Sequence, residues 1–247
     1  NYAAKNLTQI LSQVDYIVLS PGISLIKNKK LRKFKHKIIT DIDLFYLTKN
    51  KSKTIVVTGT NGKSTTCKLL AHILKKNKFK VSLGGNIGNP ILNAGKVENK
   101  YVVIEASSFQ LSHSNFICPD YAFFLNLTND HLDWHWSRNN YIESKFKIFR
   151  LQTKNDIAII NSKLKKNFTR KKFSSRLIIP KKKDYTKIKS KIINKYLISD
   201  INDENMSFVF AFAKLLGIKE RRLISSINSF KGLPHRFELF LKKNDIT

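Results

Sequence analysis

The chain has 247 residues, 42% of them hydrophobic, and its 46 basic against 17 acidic side chains give a formal net charge of +29. That length accommodates one large α/β domain or one and a half ordinary ones, and no apolar run reaches the ~18 residues needed to cross a bilayer. The basic residues run along the whole chain, and the densest stretch, residues 163–195, offers few aromatics for base stacking, so the charge reads as lysine on solvated surface and no nucleic-acid partner is expected.

In chain order, residues 2–11 predict a helix, 16–19 a strand, Ser20-Pro21-Gly22 a turn, 38–40 a second strand and 41–49 an amphipathic segment. The polar stretch 50–53 reads as a linker and a domain boundary. Residues 54–58 are β-branched and apolar without alternation, the pattern of a strand buried on both faces. A Gly-rich loop leads from it into a helix over 64–76, where Cys67, Leu70, Ala71 and Leu74 share one face and Lys75 and Lys76 sit favourably at the C-terminus. Further strands are predicted at 80–83, 101–104, 121–126, 156–161 and 176–180, and helices at 139–150, 204–216 and 220–230. Strand and helix in alternation imply a mostly parallel α/β sheet covered on both faces. Cys67 and Cys118 lack metal-ligand spacing and are expected to be buried, reduced thiols, in keeping with a cytoplasmic setting. Asn1 is not followed by a leader pattern, so the start reads as a cut inside a longer gene product.

The chemistry concentrates in Thr58-Gly59-Thr60-Asn61-Gly62-Lys63-Ser64, between the buried strand and the helix. Phosphate oxygens need many donors at once, and a Gly-rich turn at a helix N-terminus aims its backbone N–H groups at them. Lys63 then neutralises the β/γ phosphates and Ser64 holds Mg²⁺. The strict longer pattern is broken, because Val57 stands where its first glycine belongs. His131 and His135 invite a zinc reading, but no third strong ligand stands at useful spacing. Glu105 ends an apolar strand, where a carboxylate emerges at the C-terminal edge of a parallel sheet.

The loop resembles the phosphate-binding loop of the Mur ligases and folylpolyglutamate synthetases. Gly84-Gly85-Asn86-Ile87-Gly88, Glu105-Ala106-Ser107-Ser108-Phe109-Gln110-Leu111, Asn126-Leu127-Thr128-Asn129-Asp130-His131-Leu132-Asp133 and Gly232-Leu233-Pro234-His235-Arg236-Phe237-Glu238 are similar, in order, to segments of the D-glutamate-adding branch of the Mur ligase family. Ser20-Pro21-Gly22-Ile23 and Thr40-Asp41-Ile42-Asp43-Leu44-Phe45 resemble the end of its uridine-binding domain, and the similarity is weakest over 162–199.

The resemblance implies a Mur ligase central domain, with a parallel P-loop sheet, preceded by part of a Rossmann-like domain. Residues 1–50 are then the last part of the UDP-binding domain, 51–232 the ATP-binding domain, and 233–247 a linker and the start of a further domain. It implies nucleotide contacts at Gly59, Thr60, Asn61, Gly62, Lys63, Ser64, Thr65, Asn202, Asn205 and Arg236, although Ile201 replaces the histidine usual before the first asparagine. Ser20, Pro21, Gly22, Asn86, Ser107 and Gln110 match positions that touch the UDP-muramoyl substrate. Ser64, Glu105, His131 and Lys145 match Mg²⁺ ligands, Lys145 as a carbamate, and Asp130 matches a neighbouring site position. Lys63, Lys145 and His131 are thus the catalytic candidates, and Lys147 should face elsewhere on the helix. The implied reaction uses ATP and Mg²⁺ to join D-glutamate to UDP-N-acetylmuramoyl-L-alanine through an acyl phosphate, in peptidoglycan precursor synthesis, as a cytoplasmic monomer. Without the following domain, the chain alone is expected to form no product. The rival readings are another ligase of the same superfamily and a basic nucleotide-binding module without ligase chemistry.

Overall fold

The structure is a computed structural model and describes residues 6–25, 27–48, 52–94, 100–128 and 130–233. The first unit contains α1 (Leu7–Gln13), β1 (Ile17–Val18), α2 (Lys29–Arg32), β2 (Ile38–Ile39) and α3 (Asp41–Thr48). β1 and β2 pair in parallel through Ile17 with Ile38 and Val18 with Ile39, and Leu19, Leu25 and Ile38 form a small core beside them.

The apolar run at 54–58 becomes β3 (Lys53–Thr58), a central strand of a six-stranded sheet. The others are β4 (Val81–Gly85), β5 (Tyr101–Glu105), β6 (Tyr121–Phe124), β7 (Ile157–Ile160) and β8 (Arg176–Ile178). Their order is β4-β5-β3-β6-β7-β8, and every pairing is parallel. Alternate residues serve opposite cores, as the two-residue period of a strand requires. Ile55, Val57, Val103, Phe123 and Ile159 face one core with α4 (Lys63–Lys76), and Val56, Val102, Ile104, Ala122 and Ala158 face the other. The chain leaves β3 for β4 and β5 on one side and β6 to β8 on the other. The crevice at the C-terminal end of β3 is therefore the topological switch point of the sheet, where ligands of open α/β sheets bind.

The remaining helices cover both faces. They are α5 (Ile91–Ala94), α6 (Ser108–His113), α7 (Leu132–His135), α8 (Arg138–Phe146), α9 (Lys165–Arg170), α10 (Lys182–Lys189), α11 (Asp200–Leu215) and α12 (Glu220–Asn228). No described helix is long and apolar enough to cross a membrane.

Several expectations need correction. The stretch 50–53 is not simply a polar linker, because Ser52 is buried and Lys53 opens β3, with its N–H on the Lys100 carbonyl at 2.9 Å; residues 49–51 lie outside the described ones. Cys67 is buried as expected, but Cys118 is only half-buried, its thiol turned to the Leu151 carbonyl. The strand expected to reach Asn126 stops at Phe124, which frees Asn126 for the site. α8 ends at Phe146 and passes into a 3-10 turn over Lys147–Phe149. α11 starts at Asp200 rather than 204, since Asp200 and Asp203 suit its first turn and both pair with Lys189.

A buried carboxylate helps to join the first unit to the segment between α6 and β6. Asp43 of α3 accepts from the N–H groups of Thr40 (3.0 Å), Asn115 (2.9 Å) and Phe116 (2.7 Å). Thr40 adds a hydroxyl contact to Ser114 at 3.0 Å. A fully buried carboxylate is tolerated when backbone donors replace its water, as they do here.

Candidate nucleotide-binding and catalytic site

β3 ends in the loop 59–62, and α4 begins at Lys63. Gly62 is the N-cap, with φ of 82°, and a Cβ there would collide with the Asn205 carboxamide. Glycine is thus demanded twice, by conformation and by space. Asn126, just past β6, staples the loop: its Oδ1 accepts from Thr60 N at 3.1 Å and Asn61 N at 2.8 Å, and its Nδ2 donates to Asn61 O at 3.1 Å. Thr60 Oγ1 lies 2.9 Å from the Tyr141 hydroxyl and accepts from Thr128 N at 3.0 Å. The loop is therefore held by side chains before any ligand arrives, which limits the ordering cost of binding.

Two ammonium groups converge on the loop. Lys63 Nζ donates to Gly59 O at 3.1 Å and Thr60 O at 2.8 Å, and Lys145 Nζ donates to the same Gly59 O at 2.8 Å. Lys145 is only 2% exposed, and its ammonium stands 4.7 Å from the Tyr141 ring centroid. Burial, followed by repulsion from Lys63, pushes its pKa down to about 7. Near neutral pH much of this lysine is a free amine. Lys147 faces away, donating to the Ser112 and Ser114 carbonyls.

Glu105 closes β5, in register with Val57 of β3, and is 2% exposed. Its Oε1 accepts from Asn86 Nδ2 at 3.1 Å, while its Oε2 is buried without a hydrogen-bond partner. An orphaned carboxylate oxygen beside a phosphate-type loop fits a divalent cation, because a hard oxygen suits Mg²⁺ and the ion would offset the burial. Ser64, half-buried in the first turn of α4, supplies a hydroxyl on the adjoining strand–helix unit.

His131 sits in the left-handed region with φ of 51°, its side chain 46% exposed, its Nε2 3.3 Å from Asp130 Oδ2 and its ring 4.7 Å from that of Phe109. His135 is buried against Ser108 Oγ at 3.0 Å, and burial followed by the Lys145 charge lowers its pKa to about 4. No cluster of three or more His, Cys, Asp or Glu suited to a metal occurs among the described residues.

The Mur ligase middle domain family matches residues 57–217 of the chain. The chain belongs to the Mur ligase family. It is 36% identical over 271 aligned residues to the UDP-N-acetylmuramoylalanine–D-glutamate ligase of Rickettsia prowazekii (strain Madrid E), covering 98% of this chain and 60% of that protein. The enzyme of the same name from Francisella tularensis subsp. tularensis (strain WY96-3418) is 35% identical, covering 96% and 57%. The chain thus spans about 60% of the length of the curated relatives it matches. Among solved structures, MurF from Thermotoga maritima in complex with ADP superposes with a TM-score of 0.61 at 19% identity, covering 94% of this chain and 67% of that one. MurF from Acinetobacter baumannii gives a TM-score of 0.62 at 17% identity, covering 87% and 53%, and these likenesses bear on the fold.

The other residues singled out by the Mur ligase resemblance are spread around this centre. Asn86 reaches Glu105, as described. Ser107 and Gln110 form a capping box at the start of α6, and Gln110 is buried with its amide 3.4 Å from Asp41. Ser20, Pro21 and Gly22 form the turn after β1, where Ile23 N closes on Ser20 O, and the Ile23 carbonyl meets His113 at the far end of α6. Thr65 Oγ1 lies 3.5 Å from the Tyr196 hydroxyl. Asn202 donates to Tyr196 O at 2.8 Å, and Asn205 packs on Gly62. Both line an open cleft of about 770 Å³ beside Asn61, Gly62 and Thr65. Arg236 and His235 lie outside the described residues.

Sequence reasoning assigned no site role to Asn126, Tyr141, Asn161 or Glu204. Asn126 stood inside a quoted motif, and its position just past a predicted parallel strand was the available signal. Tyr141 stood four residues before Lys145 in the segment similar to the family's lysine-bearing helix. Glu204 gave no signal, because its partners Asn126 and Asn161 are remote in sequence.

Proposed function

We propose that this chain carries the nucleotide site of an ATP-dependent ligase that joins D-glutamate to UDP-N-acetylmuramoyl-L-alanine. The observation that carries the reading is the grouping of Lys63, Lys145 and the half-satisfied Glu105 carboxylate around one preformed loop. The relatives from Rickettsia prowazekii and Francisella tularensis, named as ligases of these two substrates, support that choice.

In this reading the β and γ phosphates of ATP take the N–H groups of 62–64 at the start of α4, since those of Thr60 and Asn61 are held by Asn126, and Lys63 exchanges its own loop carbonyls for phosphate oxygens. Ser64 and Glu105 would hold Mg²⁺, which would offset charge on the phosphoryl oxygens. The neutral Lys145 amine attacks CO₂, forming a carbamate and releasing a proton to solvent. That change replaces a neutral amine beside Lys63 with an anionic oxygen ligand and pairs the two side chains. His131, on the exposed rim, supplies the neighbouring nitrogen. The muramoyl-L-alanine carboxylate is a poor electrophile, so it attacks the γ phosphorus and ADP leaves. The D-glutamate amine then adds to the acyl carbon, phosphate departs, and the amine proton passes to solvent. No side-chain nucleophile is required, and catalysis rests on positioning and charge. The product belongs to peptidoglycan precursor synthesis in the cytoplasm, and the enzyme acts as a monomer.

The test is a chimera in which this chain replaces the matching segment of the Rickettsia prowazekii relative. ADP release should require both UDP-N-acetylmuramoyl-L-alanine and D-glutamate, and should vanish on Lys63→Ala or Glu105→Gln. A folded, ATP-binding chimera that releases ADP with a different amino acid, or with none, contradicts the substrate reading.

A further inference from the structure

Glu204 stands on α11 between Asn202 and Asn205 and lines the cleft of about 770 Å³ next to the phosphate-type loop. Its carboxylate is exposed to that cleft yet held at both oxygens. Asn161 Nδ2, from the end of β7, donates to Oε1, and Asn126 Nδ2, from the end of β6, approaches Oε2 at 3.4 Å. An exposed glutamate ordinarily samples many rotamers. Here two carboxamides anchored on adjacent parallel strands fix its plane. Each carboxylate oxygen has capacity for about two hydrogen bonds. Each uses one, so the group retains two parallel acceptors.

What such a pair can read is limited. A phosphate is excluded by charge. A metal would need further anionic ligands, and no cluster of them occurs among the described residues. A vicinal diol presents two O–H donors side by side and matches two parallel carboxylate oxygens. The position favours the same ligand. Asn126 Nδ2 touches both Asn61 O and Glu204, so the carboxylate lies one side chain beyond the loop that takes phosphates. In a nucleotide the group joined to the phosphates is the ribose.

We infer that Glu204 is a specificity residue that accepts hydrogen bonds from the ribose 2′- and 3′-hydroxyls of the nucleotide. The inference rests on the nucleotide reading given above. Asn126 then has two tasks, since it holds the phosphate loop and aims the sugar acceptor, so sugar and phosphate recognition share one residue.

The experiment is calorimetric titration of this chain with ATP, 2′-deoxy-ATP, 3′-deoxy-ATP and GTP, using wild type and Glu204→Leu. A hydrogen bond to a charged group corresponds to roughly tenfold or more in affinity. Wild type should therefore bind each deoxy analogue about tenfold more weakly than ATP. In Glu204→Leu the three adenine nucleotides should bind alike, with the ATP-to-GTP ratio unchanged. Equal binding of ATP and both deoxy analogues by wild type overturns the inference, and this comparison needs no variant. Retained discrimination in a folded Glu204→Leu also overturns it, as does a change confined to the ATP-to-GTP ratio, which would move the contact to the base. Failure of the folded wild type to bind any of the four overturns the nucleotide reading itself, and is distinguishable from the other results.

Discussion

Lys63 and Lys145 donate to the same acceptor, the carbonyl oxygen of Gly59, at 3.1 and 2.8 Å. Burial of Lys145, followed by repulsion from the Lys63 ammonium on the same oxygen, holds its pKa near 7 against an ordinary 10.5. Between those values the unfolded chain binds a proton at this position that the folded one does not. Stability therefore rises with pH from about 7 to 10.5, and falls as pH drops through that window. Lys145→Met should flatten the rise in urea midpoint across pH 7–10.5. Parallel wild-type and variant curves would show that Lys145 is not deprotonated by the fold.

The same amine should react with CO₂. Carbon-13 NMR of the protein in labelled bicarbonate should show a carbamate resonance that is absent from Lys145→Met and grows as pH rises through 7. Its persistence in the variant would assign it to another amine.

Gly62→Ala should lower stability by about 1–3 kcal/mol, the scale of a strained non-glycine residue, and should displace Asn205 from the cleft. Asn205→Gly should restore part of the loss by removing the colliding carboxamide. Thermal melts of the two single variants and the double variant check this, and strict additivity would count against the contact.

Asn126→Ala leaves the N–H groups of Thr60 and Asn61 without their side-chain acceptor. Nucleotide affinity should drop roughly tenfold or more, at about 1–1.5 kcal/mol for each hydrogen bond lost. Asn126→Asp keeps the acceptor and should lose less, although it sets a second carboxylate beside Glu204. An affinity unchanged in both variants would mean that the loop needs no staple.

Asp43→Ala removes the shared acceptor of Thr40, Asn115 and Phe116 where the first unit meets the segment between α6 and β6. The expected cost is about 3 kcal/mol or more, from unsatisfied buried donors. The seam should also open first, seen as early hydrogen exchange at Asn115 and Phe116. Uniform exchange across the sheet would argue against a local joint.

The sequence made the strand–loop–helix unit legible, because β-branched residues without alternation mark burial on both faces and Gly62-Lys63-Ser64 marks a helix start. Glu105 was legible as a strand-end carboxylate for the same reason. The burial of Lys145 was not. Its helix carries other polar residues at similar spacing, and what encloses it is the Tyr141 ring and a carbonyl 86 positions away. The short helix α6 escaped notice because six residues carry too little periodicity, although Ser107 and Gln110 spell a capping box. The staple by Asn126 depends on β6 lying beside β3, a neighbour relation set by the sheet order.

The most direct test is a crystal structure of the chain with ADP and Mg²⁺. The β phosphate should lie within hydrogen-bond reach of the N–H groups of 62–64, with Lys63 Nζ moved from its loop carbonyls onto phosphate oxygen and the ion near Ser64 and Glu105. A nucleotide bound away from the loop, or a loop-bound one that leaves Lys63 on Gly59 and Thr60 and Glu105 without a cation nearby, would contradict the assignment of this site.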